Sequence, residues 1–336
     1  MTQSRLRGCL LGGAIGDALG APVEFWSLAH IRRELGPAGV AGFLPAYGLA
    51  GGAFTGDTQM TLFTGEGLIR SRQQSEDLEV TPIWRAYLRW LQTQDGGSND
   101  TSGWLIRQPE LNHHRAPGNT CLSALRTGRM GTTSASLNTS KGCGGVMRVA
   151  PVGLVVGSAF QLAVDACAIT HSHPSGYLAG GALAVMVSRL RDGDSMEEAV
   201  NAGHQAVAGE PLSEELTECL EAAIYAASAG IPSAEAVETL GAGWVAEEAL
   251  AISVYCALVA EDFRRGVLLA VNHSGDADST GSITGQLLGT ELGVEAIPKE
   301  WIAGVEGREI IEQLADDLHA RFILDEHLPE DRYPPG

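Results

Sequence analysis

Apolar residues recur every three or four positions along most of this chain, and this spacing constrains its fold more than any other feature. One such stripe ends at Asp192-Gly193, where a glycine favours the end of a helix, and it comprises Leu183, Met186, Val187 and Leu190. Ser195 and Glu198 then form the capping-box pattern that opens a helix. The stretch 246–260 is apolar nearly all round, as in a helix that its neighbours bury on every side. These patterns predict a series of packed helices.

Signals for β-strands are weak by comparison. The sequence has no long alternating run and no Asn-Gly hairpin turn between β-branched segments. A further helical stripe follows Thr81-Pro82, a pair typical of a cap and a first-turn proline. We therefore predict an all-α fold in one compact domain over residues 1–327. The last residues, 328–336, contain three prolines and are expected to form a flexible tail.

Glycines near the N terminus follow a regular spacing. Gly12, Gly16 and Gly20 are four residues apart, which places them on one face of a helix. A dinucleotide-binding glycine loop would need a strand in front of it, and none is predicted there. We interpret the spacing as a stripe along which two helix backbones approach closely. Asp17 lies on this helix and is expected to accept hydrogen bonds, and Glu24 follows on a loop.

The charge of the chain limits its partners. Its 336 residues include 22 lysines and arginines against 41 aspartates and glutamates, a net charge of −19. Such a surface repels phosphate backbones, so broad nucleic-acid binding is not expected. Divalent cations and arginine-bearing partners suit it better.

Cysteine usage and hydropathy indicate the compartment. The six cysteines are scattered and include no Cys-x-x-Cys pair, which is typical of reduced thiols in a cytosolic protein. No signal peptide or membrane-spanning segment is recognisable. We therefore expect a cytoplasmic protein that does not engage a membrane.

Two acidic clusters lie more than two hundred residues apart. The first comprises Thr55, Asp57 and Thr58, and the second runs from Asp276 through Asp278 to Ser279. Carboxylates beside hydroxyls offer only oxygen ligands, which suit magnesium better than zinc. The alternative is that these residues merely cap helices, the commonest role of Thr and Asp at such positions. An EF-hand is excluded for the second cluster, because position twelve of that loop would be Leu287.

Five segments together resemble the ADP-ribosylglycohydrolase family, which includes the dinitrogenase reductase-activating glycohydrolases. They are the glycine-rich run 8–25, the Thr-Gly-Asp-Thr-Gln-Met run 55–60, the loop 138–151, the Ile-Thr-His-Ser-His-Pro run 169–174 and the acidic run 276–289. The resemblance implies a compact all-α fold with two magnesium ions at the bottom of a cleft, where manganese could replace magnesium. It also implies hydrolysis of an ADP-ribosyl bond, with arginine as the best guess for the modified protein side chain.

The resemblance also implies roles for individual residues. The metal ligands would be Thr55, Asp57, Asp276, Asp278 and Ser279. Glu24 would act as the base, and Asp57 would join it in the catalytic group. The loop around Ser140, Gly142, Gly144 and Gly145 would offer backbone N–H groups to the diphosphate, and His173 would contact the ligand.

Two further polar residues are interpreted without the resemblance. Asn119 either touches substrate or caps the helix that follows it. Arg148 either binds a phosphate or forms an internal ion pair, and we expect the ion pair.

One position departs from the family pattern. The first motif usually reads Thr-Asp-Asp-Thr, and Gly56 stands here in place of the first aspartate. We therefore expect one metal position to bind weakly and turnover to be reduced. This departure leaves as one alternative an ADP-ribose-binding regulatory protein with weakened catalysis. A separate alternative is a hydrolase of another ADP-ribosyl linkage.

Overall fold

The computed structural model describes residues 2–75, 77–96, 100–155, 157 and 159–335. Within them the chain forms sixteen α-helices, and its only β pairing is two isolated bridges, so the predicted all-α fold is confirmed. The helices are α1 (Thr2–Gly20), α2 (Leu28–Leu35), α3 (Gly56–Gln74), α4 (Val80–Asp95), α5 (Asn119–Arg126), α6 (Ala150–Val155), α7 (Phe160–Ala168), α8 (Pro174–Asp192), α9 (Met196–Ala208), α10 (Glu214–Ala229), α11 (Ala234–Glu238), α12 (Ala246–Leu258), α13 (Phe263–Val271), α14 (Ala277–Leu292), α15 (Lys299–Gly304) and α16 (Arg308–Phe322). Short 3₁₀ turns lie at Leu105–Arg107, Pro109–Leu111, Val146–Arg148 and Val294–Ala296.

Local sequence signals place several helix ends correctly. Helix α8 stops where Gly193 adopts a left-handed φ of 112°, and Ser195 and Glu198 form both hydrogen bonds of the capping box at α9. Helix α12 is buried along nearly its whole length, as predicted for 246–260. The start of α4 differs: it begins at Val80 after Glu79, so Thr81 is not its cap. No helix of the described residues is long and apolar enough to cross a membrane.

Helices α1 and α14 form the central pair of the fold and run antiparallel. Gly8 lies against Gly289, and the next glycine of α1 lies against Gly285, four residues back along α14. A Cβ built at Gly16 would lie 1.9 Å from the carbonyl oxygen of Gly281, closer than any side chain tolerates. The glycine spacing is therefore a packing stripe, as predicted.

This pairing sets the position of the acids. Because the helices are antiparallel, the C-terminal end of α1 at Gly20 meets the N-terminal end of α14 at Ala277. The loop that carries Glu24 follows the first of these ends, and Asp276 directly precedes the second. The two segments, far apart in sequence, thus reach the same side of the molecule.

The C-terminal segment differs from the expected flexible tail at 328–336. Tyr333 is fully buried, its hydroxyl donates to Asp317 at 2.7 Å, and Arg332 pairs with the same carboxylate at 2.9 Å. Gln73 also donates to the carbonyl of Leu328. Residues 328–335 therefore lie against the body of the protein, because a buried aromatic ring and a charged hydrogen bond anchor them; Gly336 lies outside the described residues.

All six cysteines are free thiols. Four of them are buried in the core, and Cys143 and Cys219 are half-buried. The scattered cysteines of the sequence thus form no disulfide in the structure.

Candidate active site

A cavity of about 520 Å³ opens beside the meeting point of α1, α3 and α14. It brings together residues from both acidic clusters, the Glu24 loop and the glycine loop before α6. Its lining consists of Glu24, Phe25, Asp57, Ala116, Pro117, Gly118, Asn119, Thr120, Cys121, Gly142, Cys143, Gly144, Met147, His171, Trp244, Asp276, Asp278 and Ser279.

Three carboxylates form the centre of this cavity. Glu24, Asp276 and Asp278 each offer an oxygen atom, and these atoms lie within 4.8 Å of one another. Asp276 occupies the N-cap position of α14 but makes no side-chain capping hydrogen bond. The capping alternative therefore fails for Asp276, and its carboxylate is directed to other partners.

Asp57 joins the two acidic clusters. Its Oδ2 atom accepts a hydrogen bond of 2.8 Å from the hydroxyl of Ser279. Thr55 is fully buried and caps α3, since its Oγ1 accepts from the backbone N–H of Asp57 at 3.3 Å. The capping interpretation thus holds for Thr55, which does not line the cavity but lies next to Asp57.

Asp17 supports this arrangement from behind. It is fully buried on α1 and accepts from the backbone N–H groups of Thr55 and Thr58, each at 3.0 Å, and from the Thr58 hydroxyl at 2.6 Å. A carboxylate at a helix N terminus satisfies the free N–H groups and the helix dipole together. Asp17 therefore fixes α3, and with it Asp57, against α1, and the predicted acceptor role is confirmed.

The acids perturb one another strongly. Burial, followed by the charge of Asp278, raises the pKa of Asp17 to about 7 and that of Glu24 to about 8. The same two causes hold the pKa values of Asp57 and Asp276 well above their usual range. Without a counter-ion, this much negative charge in a buried site is unfavourable.

Within the described ranges, no basic side chain supplies that counter-ion. Among the ion pairs of the described residues, none involves Asp17, Glu24, Asp57, Asp276 or Asp278. Arg115 reaches the carbonyl of Phe54 nearby, but it pairs with Glu306 at 2.9 Å. An all-oxygen cluster that lacks a basic partner fits a hard divalent cation.

Gly56 occupies the first turn of α3 under a tight loop. Its N–H donates to the carbonyl of Arg115 at 2.7 Å, and a Cβ built on it would lie 3.3 Å from that oxygen. The same Cβ would lie 3.5 Å from the Cα of Pro117. A larger residue at position 56 therefore requires the 115–117 segment to move by a few tenths of an ångström.

The glycine loop meets the cavity only in part. Gly142 and Gly144 line it, whereas Ser140 and Gly145 do not. The N–H of Gly142 already donates to the Ser140 hydroxyl at 3.2 Å. A Cβ at Gly145 would lie 3.1 Å from the carbonyl of Gly176, so that glycine serves packing against α8. Among the described residues, the backbone N–H groups of Gly144 and Gly145 have no hydrogen-bond partner, and of these two glycines Gly144 lines the cavity.

The structure places His171, and not the predicted His173, at the cavity. His173 is the N-cap of α8: its Nδ1 accepts from the Ser175 N–H at 3.2 Å, and it does not line the cavity. His171, two residues earlier, is buried and lines the cavity beside Gly144. The expectation for His173 is thus corrected, because Pro174 starts α8 and commits His173 to the cap.

Asn119 lines the cavity and does not cap α5. Gly118 is the N-cap of that helix, and Asn119 is its exposed first residue. The capping interpretation is therefore wrong, and contact with substrate stays a prediction.

Several cavity residues carry no signal that sequence reasoning could use. The rings of Phe25 and Trp244 stack at the cavity wall with centroids 5.0 Å apart, although they belong to distant segments. Phe25 is 75% exposed and has a positive φ of 70°. Cys143 donates to Asp276 at 2.8 Å, and burial raises the pKa of its thiol well above the usual range. These residues can be recognised as part of the cavity wall only from their neighbours in the folded structure.

Arg148 is fully buried behind the cavity but does not form the expected ion pair. Its Nη2 donates to the carbonyl of Ala166 at 3.1 Å and to the Thr170 hydroxyl at 2.7 Å. Its guanidinium lies 4.2 Å from the ring centroid of Tyr87. Neutral acceptors and an aromatic face replace the carboxylate.

Comparisons with known proteins agree with this geometry. The family model described as ADP-ribosylglycohydrolase matches residues 1–327. ADP-ribosyl-[dinitrogen reductase] glycohydrolase from Rhodospirillum rubrum is 30% identical over 96% of this chain and 98% of its own length. ADP-ribosylarginine hydrolase Tri1 from Pseudomonas putida is 24% identical over 94% of this chain and 78% of its own. A solved ADP-ribosylglycohydrolase-related protein complex superposes with a TM-score of 0.73 and 27% identity, over 95% of this chain and 98% of that one. The chain therefore belongs to the ADP-ribosylglycohydrolase family, whose members hydrolyse the glycosidic bonds of ADP-ribosyl groups.

Proposed function

We propose that this chain is a magnesium-dependent hydrolase that removes ADP-ribose from modified arginine side chains of proteins. The observation that carries the proposal is the convergence of Glu24, Asp57, Asp276 and Asp278 in one cavity without a basic partner. Such a cluster needs a cation to balance its charge. The cavity is also large enough for part of a nucleotide-sized ligand.

The ligands of the cations would be Thr55, whose hydroxyl also caps α3, together with Asp57, Asp276, Asp278 and Ser279, in a two-ion site of which one position is weakened. When bound, a divalent ion supplies Lewis acidity and fixes hydroxyl groups of the ribose. Magnesium is the expected ion because every donor is oxygen, and manganese would be accepted for the same reason.

Glu24 is assigned the role of general base. It lies at the cavity wall, half-buried, with its oxygen near Asp278. A positive charge in the cavity favours the ionised form that burial disfavours. The carboxylate can then take a proton from the water that attacks the anomeric carbon. Asp57, hydrogen-bonded to Ser279, completes the catalytic group.

Two lines of support favour arginine as the modified residue. The Pseudomonas putida relative is named as an ADP-ribosylarginine hydrolase, and the Rhodospirillum rubrum relative is named for dinitrogen reductase. The net charge of −19 also suits an arginine-bearing protein partner. We place the chain in the cytoplasm on the strength of its six free thiols.

The test is a panel of substrates that differ only in linkage. Arginine-linked and serine-linked ADP-ribosyl proteins are incubated with the chain in magnesium, in manganese and in chelator, and free ADP-ribose is measured. We expect release from the arginine-linked protein in either metal, with a loss of about 10²–10⁴-fold in Glu24→Gln. Release from the serine-linked protein alone would support the alternative linkage.

Gly56 motivates the remaining alternative, an ADP-ribose-binding protein with weakened turnover. Gly56→Asp restores the missing carboxylate, and Gly56→Ala is its matched control, since both press a Cβ on the 115–117 segment. Faster release by Gly56→Asp than by Gly56→Ala would show that the missing acid limits turnover. Release only by Gly56→Asp, with ADP-ribose binding by the natural chain, would establish the binding protein instead.

A further inference from the structure

Arg148 presents an energetic problem that the proposed reaction does not explain. The guanidinium is fully buried, and among the described residues no carboxylate pairs with it. In the described part of the chain its Nε atom has no hydrogen-bond partner, while Nη1 donates to the sulfur atoms of Met60 and Cys121, at 3.5 and 3.4 Å. Burial of a charge without a counter-ion is costly. Its shortest hydrogen bond, at 2.7 Å, goes to Thr170, which points to a role there.

The bond between Arg148 and Thr170 has a defined direction. A guanidinium can only donate, so the Thr170 hydroxyl oxygen accepts and its own proton is free for another partner. His171 Nδ1 lies 2.9 Å from that oxygen. The thiol of Cys121 is also close, but sulfur is a much weaker acceptor than an imidazole nitrogen. The Thr170 proton is therefore directed to His171 Nδ1.

This hydrogen bond decides which nitrogen of His171 carries its proton. Burial, and then the charge of Arg148, lower the pKa of His171 to about 3, so the ring is neutral with a single N–H. If Nδ1 accepts, the proton lies on Nε2.

The Nε2 atom faces the cavity. It lies 3.5 Å and 3.3 Å from Cβ positions built on Gly142 and Gly144, the two glycines of the cavity wall. Among the described residues it has no hydrogen-bond partner, although His171 is only 2% exposed. An N–H donor fixed at this place suits an anionic oxygen. In the opposite tautomer the lone pair of Nε2 would face the ligand and repel it.

We propose that Arg148 and Thr170 are positioning residues that hold His171 as an Nε2–H donor for a phosphate oxygen of the ligand. This assignment rests on the proposed function, because the ADP-ribosyl group supplies the phosphate. It also explains the glycines beside His171: a Cβ at Gly144 would lie 3.0 Å from the imidazole and occupy the space in front of the donor. In a cavity with this many acids, such a donor offsets repulsion of the diphosphate.

The first test is the ring spectrum of His171 in protein labelled with ¹⁵N-histidine. Two-bond ¹H–¹⁵N correlations distinguish the tautomers, and His171→Asn identifies the signal by its loss. We expect an Nε2–H ring in the natural chain, a mixture of tautomers in Thr170→Val, and a return to Nε2–H in Thr170→Ser. An Nδ1–H ring in the natural chain, or no change in a folded Thr170→Val, would overturn the proposal.

The second test measures ligand binding without catalysis. Calorimetry compares ADP-ribose with adenosine, which lacks phosphate, on the magnesium-loaded protein. Loss of a hydrogen bond to a charged oxygen should weaken ADP-ribose binding by Thr170→Val at least about tenfold and leave adenosine within about twofold. An equal loss for both ligands would mean a merely structural role and overturn the proposal.

The two tests also separate this proposal from the proposed function. If the natural chain binds no ADP-ribose, the hydrolase assignment and the phosphate partner fail together, and the spectrum still decides whether Arg148 and Thr170 fix the tautomer. Arg148→Lys provides a second variant, which keeps the charge and loses the planar fork. We expect it to bind ADP-ribose as weakly as Thr170→Val, and full binding by Arg148→Lys would contradict the role of the fork.

Discussion

Replacement of Gly16 by alanine tests the packing on which the whole site depends. Helix propensity alone favours the change, since alanine stabilises a helix interior by about 1 kcal/mol relative to glycine. The structure predicts the opposite sign. The new Cβ would lie 1.9 Å from the carbonyl oxygen of Gly281, about 1.1 Å inside the 3.0 Å that Cβ atoms keep.

The size of the effect follows from what can move. The overlapping atom belongs to the backbone of α14, so no side-chain rotation relieves it, and the two helices must separate. Overpacking of a close-packed core costs about 1–3 kcal/mol, and a backbone clash belongs at the upper end. After the gain of about 1 kcal/mol in helix propensity is subtracted, we expect a net loss of about 2 kcal/mol in the free energy of unfolding. With a urea m-value of about 3 kcal/mol/M, the midpoint falls by roughly 0.7 M.

The assay is equilibrium unfolding in urea, followed by circular dichroism, with Gly42→Ala as the control. A Cβ at Gly42 meets nothing within 4 Å, and its φ is not positive, so the control should change stability by no more than about 0.5 kcal/mol. A Gly16→Ala protein as stable as the natural chain would refute the account of the α1–α14 pair. The separation should also weaken magnesium binding, because Glu24 and Asp276 lie at the end of this interface.

Three further predictions concern the acids and the thiol. Asp17→Asn should lose about 1–3 kcal/mol of stability and weaken magnesium binding, because an amide cannot accept from all three donors of Thr55 and Thr58. The control is Asp262→Asn at an exposed helix cap, which should change stability little. Equal effects of the two variants in thermal unfolding would count against the role of Asp17. In the metal-free chain, pKa values of about 7 for Asp17 and about 8 for Glu24 mean that the folded state binds more protons than the unfolded chain between about pH 4 and pH 8. The free energy of unfolding should therefore fall as the pH rises through this window, by up to about 1.4 kcal/mol per pH unit for each extra proton. Saturating magnesium should flatten this pH profile. A metal-free profile that rises with pH would be incompatible with the raised pKa values of the two carboxyl groups. Because the pKa of the Cys143 thiol is raised well above its usual range, iodoacetamide should modify it at pH 7.5 at least about tenfold more slowly than in the unfolded chain. Peptide mass spectrometry can follow the modification, with Cys143→Ser as the blank. Modification at the rate of the unfolded chain would disprove a thiol that stays protonated at this pH.

Sequence reasoning succeeded where the signal is local or periodic. The capping box at Ser195 and the end of α8 at Gly193 depend on neighbours within one helical turn, so the local sequence is enough to predict them. The glycine stripe of α1 was recognisable because a four-residue spacing repeats on one helix face. The motifs identified the acidic residues of the cavity, although neither cluster alone distinguishes a metal ligand from a helix N-cap.

The misjudged residues have partners elsewhere in the chain. His173 and His171 differ by two positions, and only the start of α8 decides which one caps and which one faces the cavity. Arg148 was expected to meet a carboxylate, but Tyr87 and Thr170 surround it from other helices and loops. Tyr333 anchors a segment whose prolines suggested flexibility, because Asp317 of α16 accepts its hydroxyl. Tertiary contacts of this kind leave no periodic trace in the sequence.

The most direct test of the central claim is the rate at which chelator-treated protein releases ADP-ribose from an arginine-modified protein as magnesium is added back. The account predicts no release without metal and a saturable rise with magnesium, which Asp278→Asn shifts to higher concentration because it removes a carboxylate of the cluster. Full release by the chelator-treated chain, or a magnesium dependence that Asp278→Asn leaves unchanged, would contradict the assignment of the cation to this cavity.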